Sequence, residues 1–408
     1  MSKSINDPWI TVIGIGEDGL DGLSPALCAV IDAAEVLVGG DRHHEKVPVS
    51  NAERLTWKGG FAAAVQEIGK HRGRRVVVLA SGDPMNYGAG AMIVREFGAD
   101  AVVIHPAPGA FSLAAARMGW SIPDCETLTI HGRPLEALGL HLSPGAKLLV
   151  LSQGGDSPAA AAELLSAFGY GLSRITVLEH LGGLNEKRFD GMAADWHHGR
   201  AADLNVLAIE CIAEPGASAL SRAPGLPDDV FAHDGQLTKR EVRAVTLAAL
   251  QSLPGQILWD IGAGCGSVAI EWLRLGSNRR AVAVEKSLER CHLIGQNAAA
   301  LGTHNMVVVN GTFPDVASGL GPAPDAIFVG GGVSAPGLLD VAWDALKPGG
   351  IFVANGVTLE AEQALLDFRQ RHDGDLTRIS VERAGPVGGL TAFRPMMAVT
   401  QLAQRKQP

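Results

Sequence analysis

The chain has 408 residues, a formal net charge of -9 at pH 7 and 47% hydrophobic residues. This length exceeds what one ordinary hydrophobic core organises and predicts two domains, while the acidic balance disfavours binding to nucleic acid or to an anionic membrane, because both are polyanions. No apolar run is long enough to span a membrane and the start, MSKSINDPW, lacks an apolar leader segment, so we expect a cytoplasmic protein.

Cysteine and histidine patterns favour neither disulfides nor a metal. The five cysteines are scattered without a C-x-x-C pair, which predicts reduced and mostly buried thiols. Neither histidine doublet, His43-His44 or His197-His198, has a cysteine or carboxylate at ligand spacing. We therefore predict no metal site.

Short β-branched runs alternate with Ala- and Leu-rich helical patterns through the first half. The runs are WITVIGIG, AEVLVGG, RVVVLASG, DAVVIHPAPG, KLLVLSQGG and RITVLEHLGG. Such alternation predicts an α/β fold with parallel sheets and crossover helices. Most runs end in Gly, Pro or Ser, and ligands of open α/β sheets bind at that carboxyl edge.

The first glycine-rich loop is GIGEDG, from Gly14 to Gly19. It satisfies the dinucleotide pattern G-x-G-x-x-G, which is a weak signal when it stands alone. Glu17 and Asp18 lie inside the loop, where a pyrophosphate would have to sit. Their charge disfavours a phosphate site.

Further motifs of the first half, together with this loop, resemble the tetrapyrrole methylase family. They are LASGDPMNYGAG from Leu79, PAPGAFSLAAARMGW from Pro106 and IHGRP from Ile130. The resemblance implies a two-lobed fold that holds S-adenosylmethionine in a cleft between its lobes, mostly through backbone groups. The cofactor-binding residues that it implies are Ser81, Gly82, Asp83, Asn86, Phe111 and Ser112.

Two features qualify this assignment. The family usually has G-x-G-P-G in the first loop, and Glu17 stands in place of the proline. The segment from Ser81 to Pro84 is also compatible with an ordinary Asp-Pro turn.

Basic residues follow two of these motifs. Arg42, with His43 and His44, comes after VGGD, while His131 and Arg133 belong to HGR. An arginine fork matches a carboxylate, so we predict that Arg42, His131 and Arg133 bind acid side chains of a tetrapyrrole. Solvated surface charge is the alternative for Arg42; the resemblance favours binding for Arg133.

Periodicity ends between Glu210 and Gln236, in a stretch rich in Pro, Gly, Ser and Ala, before a new helical pattern, LTKREVRAVTLAALQSL. This composition predicts a linker. We place the first domain at residues 1–213, the linker at 214–232 and the second domain at 233–408.

The second half restarts with its own strands. They are GQILWDIGAG, RRAVAVEKS, HNMVVVNGT, PDAIFVGGG, GGIFVANGV, RISVER and MMAVTQLA, of which the last two resemble a terminal antiparallel hairpin. The first strand opens into G-x-G-x-G, preceded by Asp260, and the second ends in Glu285. Asp260 would repel a pyrophosphate and attract an ammonium or sulfonium, and Glu285 can accept hydrogen bonds from ribose hydroxyls.

This pattern resembles the class I S-adenosylmethionine-dependent methyltransferases, which have a Rossmann-like fold. A dinucleotide-binding domain and a Rossmann-like domain without a ligand are the alternatives. QLTKREVRAV additionally resembles the start of the decarboxylating precorrin methyltransferase family, in which the threonine lies near the cofactor; helix N-capping is the alternative for Thr238. The predicted cofactor-binding residues are Thr238, Asp260, Gly262, Ala263, Gly264, Cys265, Gly266, Glu285, Gly311 and Thr312.

The predicted fourth strand of this half ends in DAIFVGGG. Base methyltransferases usually have an Asn/Asp-Pro-Pro-Tyr/Phe motif at this place. Gly330, Gly331 and Gly332 suit an open floor for a large flat substrate or, equally, a tight loop.

The order of the two halves resembles the fused precorrin methyltransferases of cobalamin biosynthesis. The resemblance implies one S-adenosylmethionine per domain and a tetrapyrrole substrate, methylated at carbon 5 by the first domain and at carbon 15, with loss of CO2 from the carbon 12 acetate, by the second. The cobalt-precorrin version of the pair is an open alternative. A methyltransferase for another small molecule or nucleic acid and a binding scaffold without turnover are less favoured. The motifs name no catalytic acid or base, and homo-oligomerisation is plausible.

Overall fold

The structure, a computed structural model, describes residues 8–217, 219–276 and 278–408. These residues form two compact units, one of residues 8–135 and 143–217 and the other of residues 136–142 with the described residues from 219 to 408. The expectation about the chain start concerns residues 1–7, which lie outside the described part. None of the described helices has the length and apolar character needed to cross a bilayer.

The first lobe of the first unit is a parallel sheet of five strands in the order β3-β2-β4-β1-β5. Its strands are β1 (Ile10–Ile15), β2 (Val36–Val38), β3 (Glu53–Leu55), β4 (Val76–Ser81) and β5 (Val102–His105). Its helices are α1 (Pro25–Asp32), α2 (Asp41–Glu45), α3 (Phe61–Gly69) and α4 (Ala89–Phe97). The central strands β1 and β4 are buried along nearly their whole length, as expected for a sheet covered on both faces.

The second lobe has the strand order β6-β7-β10-β8-β9. Its strands are β6 (Cys125–Thr129), β7 (Lys147–Leu151), β8 (Arg174–Glu179), β9 (Lys187–Met192) and β10 (Asn205–Glu210), with helices α5 (Ala110–Met118) and α6 (Ser157–Ala167). The prediction of parallel pairing is wrong here except for β6 with β7, because β10 lies antiparallel between β7 and β8. Strand β10 was not predicted; its run NVLAIE directly precedes the Pro- and Gly-rich stretch.

The second unit contains a sheet of seven strands in the order β13-β12-β11-β14-β15-β19-β16. Its strands are β11 (Ile257–Ile261), β12 (Arg280–Glu285), β13 (Met306–Asn310), β14 (Ala326–Val329), β15 (Ile351–Gly356), β16 (Asp375–Ile379) and β19 (Val399–Arg405). Its helices are α7 (Arg240–Ala249), α8 (Ser267–Arg274), α9 (Leu288–Ala300), α10 (Leu338–Ala345) and α11 (Leu359–His372). Five strands are parallel, and β19 runs antiparallel between β15 and β16.

The predicted pairing of the last two runs is confirmed, since β16 pairs with β19. They are not a simple hairpin, however. An exposed two-stranded ribbon, β17 (Glu382–Val387) with β18 (Leu390–Pro395), lies between them in the chain and was not predicted.

Strand β11 separates two apolar clusters of the second unit. Trp259 packs in the cluster on one face, whereas Leu258 packs in the cluster on the other, because successive side chains of a strand point to opposite faces. Apolar packing on both faces holds the central strand, and with it the start of the glycine loop that follows, in a fixed place.

A buried ion pair fixes the start of the second unit. The Arg243 side chain is fully buried and donates from Nε to Glu271 Oε1 at 2.6 Å. Glu271 in turn accepts from the backbone N–H groups of Gly225 and Leu226, at 2.6 and 3.0 Å. These two residues fall within the predicted linker, whose boundaries stay a prediction.

The N-cap proposed for Thr238 is wrong. Helix α7 begins at Arg240 with Lys239 at the N-cap, and no side chain caps it. The Thr238 carbonyl instead accepts a hydrogen bond from Arg243 Nη1, which ties the segment before the helix to the first turn of α7.

We predict that Arg243→Met lowers the free energy of unfolding by about 3–5 kcal/mol, because Glu271 keeps its burial and loses its charged partner. Arg371→Met is the matched control, since Arg371 pairs with Asp340 where both side chains are about half exposed. The control should cost below about 1 kcal/mol. Denaturant unfolding of the full chain measures both values, and equal losses would contradict the role given to the buried pair.

Candidate functional site

A cleft of about 510 Å³, partly open to solvent, lies in the first unit. Its polar side chains are Glu17, Arg42, Ser81 and Asn205, and apolar side chains from α5, β8, β10 and the neighbouring loops line most of the remainder. The structure thus brings together three residues that the sequence analysis selected: Ser81 and Gly82, predicted to bind cofactor, and Arg42, predicted to bind substrate.

Backbone contact between loops forms the floor of this region. A Cβ added to Gly14 would lie 2.0 Å from the Gly82 oxygen and 2.6 Å from the Ala107 nitrogen. Gly82 itself has φ of +56°, and its added Cβ would lie 3.1 Å from the Pro108 oxygen. Close packing of strand β1 against its neighbours therefore explains Gly14, and the match to a dinucleotide pattern does not.

Ser81, at the end of β4, accepts hydrogen bonds from two side chains of α2. Arg42 Nη2 donates to Ser81 Oγ at 2.9 Å, and His43 Nε2 lies 2.9 Å from the same oxygen. His43 Nδ1 accepts from the Gly40 backbone N–H at 3.1 Å. Burial and, secondarily, the charges of Arg42 and Lys46 lower the pKa of His43 to about 4, so the ring is neutral at neutral pH.

Glu17 is held by basic groups from distant parts of the chain. Lys46 Nζ lies 2.5 Å from its carboxylate, His180 Nδ1 3.3 Å and Arg42 Nε 3.7 Å. Burial alone would raise the pKa of Glu17, but the hydrogen bonds from Lys46 and His180 and the charge of Arg42 lower it below the ordinary value. The residue that replaces the family's proline is therefore an ionised, mostly buried anchor at the cleft.

Sequence reasoning missed Lys46 and His180 altogether. His180 follows β8 and lies 163 positions from Glu17, so no local pattern connects the two. The one available signal was an acidic residue in a glycine-rich loop, at a position where the family usually has proline.

The other predicted residues of the first unit lie in a turn, in an apolar cluster or at exposed positions. Asp83 Oδ1 accepts from the Met85 backbone N–H at 2.9 Å, which is the turn that the alternative interpretation described. Phe111 is buried in the apolar cluster of the second lobe. Asn86, Ser112 and His131 are exposed on their loops and on α5.

Arg133 makes a contact that links two motifs. Its guanidinium carbon lies 5.4 Å from the centre of the Tyr87 ring, and that ring meets Phe111 edge to face at 6.2 Å. Tyr87, which was not predicted, thus lies between the HGR loop and α5. Stacking of this kind keeps an arginine partly ordered without using up its hydrogen-bond donors.

In the second unit the three glycines of the G-x-G-x-G loop all have positive φ, of +71°, +61° and +81°. An added Cβ at Gly262 would meet the Gly331 backbone at 2.8 Å, and one at Gly266 would meet the Ile294 side chain of α9 at 3.0 Å. At Gly264 the nearest atom is the Gln236 oxygen, at 3.7 Å. Of these three glycines, only Gly264 would accept a Cβ without overlap, since the Gln236 oxygen lies at an ordinary contact distance.

The glycines after β14 belong to the same loop contact. Gly330 donates from its N–H to the Ile261 carbonyl at 2.9 Å, and Gly331 meets Gly262. Gly332 has φ of +79°. Gly331 therefore fits the tight-loop interpretation.

Two buried carboxylates lie beneath this loop. Asp260 is 1% exposed; its Oδ2 accepts from the Ala269 N–H at 3.1 Å, while its Oδ1 has no partner among the described residues. Burial raises the pKa of Asp260 to about 7, and the charge of Glu285 adds to the effect. Glu285 accepts hydrogen bonds from the Gly264 N–H at 2.9 Å and from the Ser287 N–H at 3.0 Å, so it fixes the position of Gly264.

The remaining predicted residues of the second unit make mainly backbone hydrogen bonds. Ala263 donates to the Val284 carbonyl and Gly311 to the Glu285 carbonyl, at 3.1 and 3.0 Å. The Thr312 carbonyl accepts from the Val316 N–H at 3.3 Å. The Cys265 side chain is buried in an apolar cluster with Phe231, which leaves only its backbone for a ligand.

We predict that alanine lowers the free energy of unfolding by different amounts at Gly264 and Gly262, although both glycines have a left-handed backbone conformation. Gly264→Ala should lower the free energy of unfolding by about 1–2 kcal/mol, the cost of a left-handed alanine. Gly262→Ala should cost about 1–3 kcal/mol more, because its Cβ overlaps the Gly331 backbone. Calorimetric unfolding of both variants tests this, and equal costs would show that the loop contact does not constrain Gly262.

We further predict a pH-dependent effect of Asp260→Asn. Between the ordinary value of 3.8 and about 7, Asp260 is protonated in the folded chain and ionised in the unfolded one. The unfolded state then binds fewer protons, so this residue makes the wild-type chain less stable as pH rises through that interval, with no further change above it.

The measurement is the free energy of unfolding of variant and wild type, without ligand, from pH 4 to pH 8. The free energy of unfolding of the variant minus that of the wild type should increase up to about pH 7 and then level off. A difference that stays flat across the interval would contradict the raised pKa.

Comparison with known proteins gives two family matches. Residues 10–195 match the tetrapyrrole (corrin/porphyrin) methylases, and residues 229–406 match the precorrin methyltransferase domain. The predicted fold class, a tetrapyrrole methylase fold followed by a class I methyltransferase fold, is confirmed by these matches and by the order of the strands in the sheets.

Similar proteins cover the whole chain. A precorrin-6Y C(5,15)-methyltransferase (decarboxylating) from Sinorhizobium sp is 46% identical over 99% of this chain and 98% of its own length. The protein of the same name from Mycobacterium tuberculosis is 40% identical over 98% of this chain and 100% of its own length. A solved C-terminal domain of precorrin-6Y C5,15-methyltransferase from Rhodobacter capsulatus is 41% identical, with a TM-score of 0.44 over 46% of this chain and 100% of that domain. The chain therefore belongs to the family of decarboxylating precorrin-6Y C(5,15)-methyltransferases.

Proposed function

We propose that this chain methylates precorrin-6Y (precorrin-6B) at carbons 5 and 15 and decarboxylates the acetate side chain on carbon 12, which releases one CO2 and leaves a methyl group, with one S-adenosylmethionine in each unit. Enzymes of this family use S-adenosylmethionine for C-methylation. The observation that carries the proposal is that each unit has its own loop site at the carboxyl edge of a parallel sheet. Two independent sites match two methyl transfers to one substrate.

Three features of the second unit fit the cofactor. No atom packs tightly against the Gly264 backbone within the described residues, and without a Cβ this backbone would allow a ligand to approach to van der Waals contact. Asp260 Oδ1 is buried, has no partner among the described residues, lies near the end of β11 and suits a cationic group. Glu285 uses one bond per oxygen on backbone N–H groups, and each oxygen has a further lone pair for a ribose hydroxyl.

The first unit fits in a different way. Its cleft combines a charged end, at Glu17 and Arg42, with an apolar wall that includes Leu178 and Val206. An adenosyl group with an amino acid tail has the same division into a flat, weakly polar part and a charged part. The cleft residues therefore support a cofactor bound through shape, backbone groups and one charged end.

The chemistry requires alignment more than acid or base groups. S-adenosylmethionine supplies an electrophilic methyl group, and a meso carbon of a partly reduced tetrapyrrole is enamine-like and already nucleophilic. The rigid glycine loops orient the two reactants, and the apolar wall of the first cleft excludes water. Electrons left by loss of CO2 pass into the conjugated macrocycle.

Arg133 and His131 would bind acid side chains of the macrocycle, and Arg42 would bind a carboxylate of the macrocycle or of the cofactor. Arg133 is preorganised by its stacking on Tyr87, and Arg42 lines the cleft itself. A cytoplasmic location, homo-oligomerisation and the absence of nucleic-acid and membrane partners stay predictions.

We predict that the two activities separate in full-length variants. Ala110→Trp fills the first-unit cleft and should abolish methylation at carbon 5 while methylation at carbon 15 and CO2 release continue. Glu285→Ala removes the two backbone bonds and the ribose acceptor, and should slow carbon 15 methylation and CO2 release about 100-fold.

The assay is mass spectrometry and carbon-13 NMR of the product formed with methyl-labelled S-adenosylmethionine. Mixing the two variants is the matched control, because each supplies the unit that the other lacks, whatever the order of the steps. The mixture should give two labelled methyl groups and lose one CO2. A mixture of folded variants that fails to do so would contradict this division of labour.

A further inference from the structure

The hydrogen bonds around Ser81 fix the direction in which its hydroxyl group points. A serine hydroxyl has two acceptor lone pairs and one O–H donor. Arg42 Nη2 has only protons to offer, so it donates to Ser81 Oγ at 2.9 Å. One lone pair is thereby occupied.

His43 occupies the second lone pair of Ser81 Oγ. Its Nδ1 accepts the Gly40 backbone N–H and therefore carries no proton. A neutral imidazole with an unprotonated Nδ1 carries its proton on Nε2, which must then donate to Ser81 Oγ, 2.9 Å away. The low pKa of His43 agrees with this neutral tautomer.

The Ser81 O–H is consequently left to donate. Within residues 8–217 the structure gives it no acceptor, and the Ser81 side chain is exposed on the wall of the cleft. An acceptor atom of a ligand is therefore the partner that this arrangement suits.

The charges around the cleft indicate which kind of acceptor. Glu17 faces two permanent cations, Arg42 and Lys46, while His43 is neutral in this tautomer. The charged group in direct contact with Ser81 is the Arg42 guanidinium, whereas the Glu17 carboxylate is already paired with Lys46. An anionic acceptor matches this balance better than a carbonyl or hydroxyl.

We propose that Ser81, Arg42 and His43 form a carboxylate subsite in the first-unit cleft, in which Ser81 and Arg42 donate to the carboxylate and His43 is the positioning residue that fixes Ser81 as a donor. The proposal rests on the proposed function, which offers two sources of a carboxylate: the amino acid tail of the cofactor and an acid side chain of the macrocycle.

The first arm of the test measures binding to the full chain carrying Glu285→Ala, which weakens the second-unit site. The probes for calorimetry are S-adenosylhomocysteine and its decarboxylated analogue. Ser81→Ala should weaken S-adenosylhomocysteine about tenfold and leave the analogue unchanged if the carboxylate is that of the cofactor.

The second arm measures the KM of precorrin-6B and of its methyl ester for carbon 5 methylation. If the carboxylate is that of the macrocycle, Ser81→Ala should raise the KM of the acid about tenfold and should not raise the KM of the ester to the same extent. Ser81→Thr, which keeps the hydroxyl, should retain wild-type behaviour in both arms.

His43 has its own pair of variants. His43→Ala frees Ser81 to rotate and should reduce the preference for the carboxylate-bearing probe, whereas His43→Gln, whose amide can donate from about the same place, should restore part of it. Ser50→Ala, in the exposed loop before β3, is the control and should change either value by less than about twofold.

Ser81→Ala in a folded, active chain that leaves both arms unchanged, or that weakens acid and non-acid probes equally, would overturn the subsite. Failure of the wild-type chain to methylate carbon 5 would instead overturn the proposed function.

Discussion

Direct contact between the backbones of neighbouring loops is the constraint on which both candidate sites depend. Parallel strands lie about 4.8 Å apart, so the loops at their carboxyl ends converge unless side chains keep them apart. No side chain intervenes where Gly14 meets Gly82 or where Gly262 meets Gly331, because these residues are glycines. The loops can then turn sharply, and their backbone groups become the surface that a ligand meets.

Acidic residues stand beside both sets of loops, but they act differently. Glu17 is compensated by Lys46 and Arg42, so the charged group that contacts Ser81 in the cleft is the Arg42 guanidinium. Asp260 has no cationic partner in the described part of the chain, and one of its buried oxygens is unsatisfied there. The first arrangement suits an anionic group and the second a cationic group or a proton.

Strand runs, glycine loops and their flanking acids could be predicted because each is local. Asp260, Gly264 and Glu285 were identified from spacing alone, and the structure places them around one loop. The alternatives left open at Ser81–Pro84 and at Gly331 needed three-dimensional neighbours, since a turn and a ligand loop have the same composition. Cys265 was selected with its loop, yet its side chain packs into the core, because an outward or inward direction depends on the helix that follows.

The sequence by itself determined the order of two α/β folds, the position of each glycine loop and the family to which they belong, because strand periodicity, turn residues and motif spacing are properties of short segments. Only the tertiary structure decided which groups surround each loop. Lys46 and His180 reach Glu17, and His43 sets the donor direction of Ser81, through contacts between residues far apart in the chain. Such contacts follow from the packing of whole strands and helices, which leaves no mark in the residues next to Glu17 or Ser81.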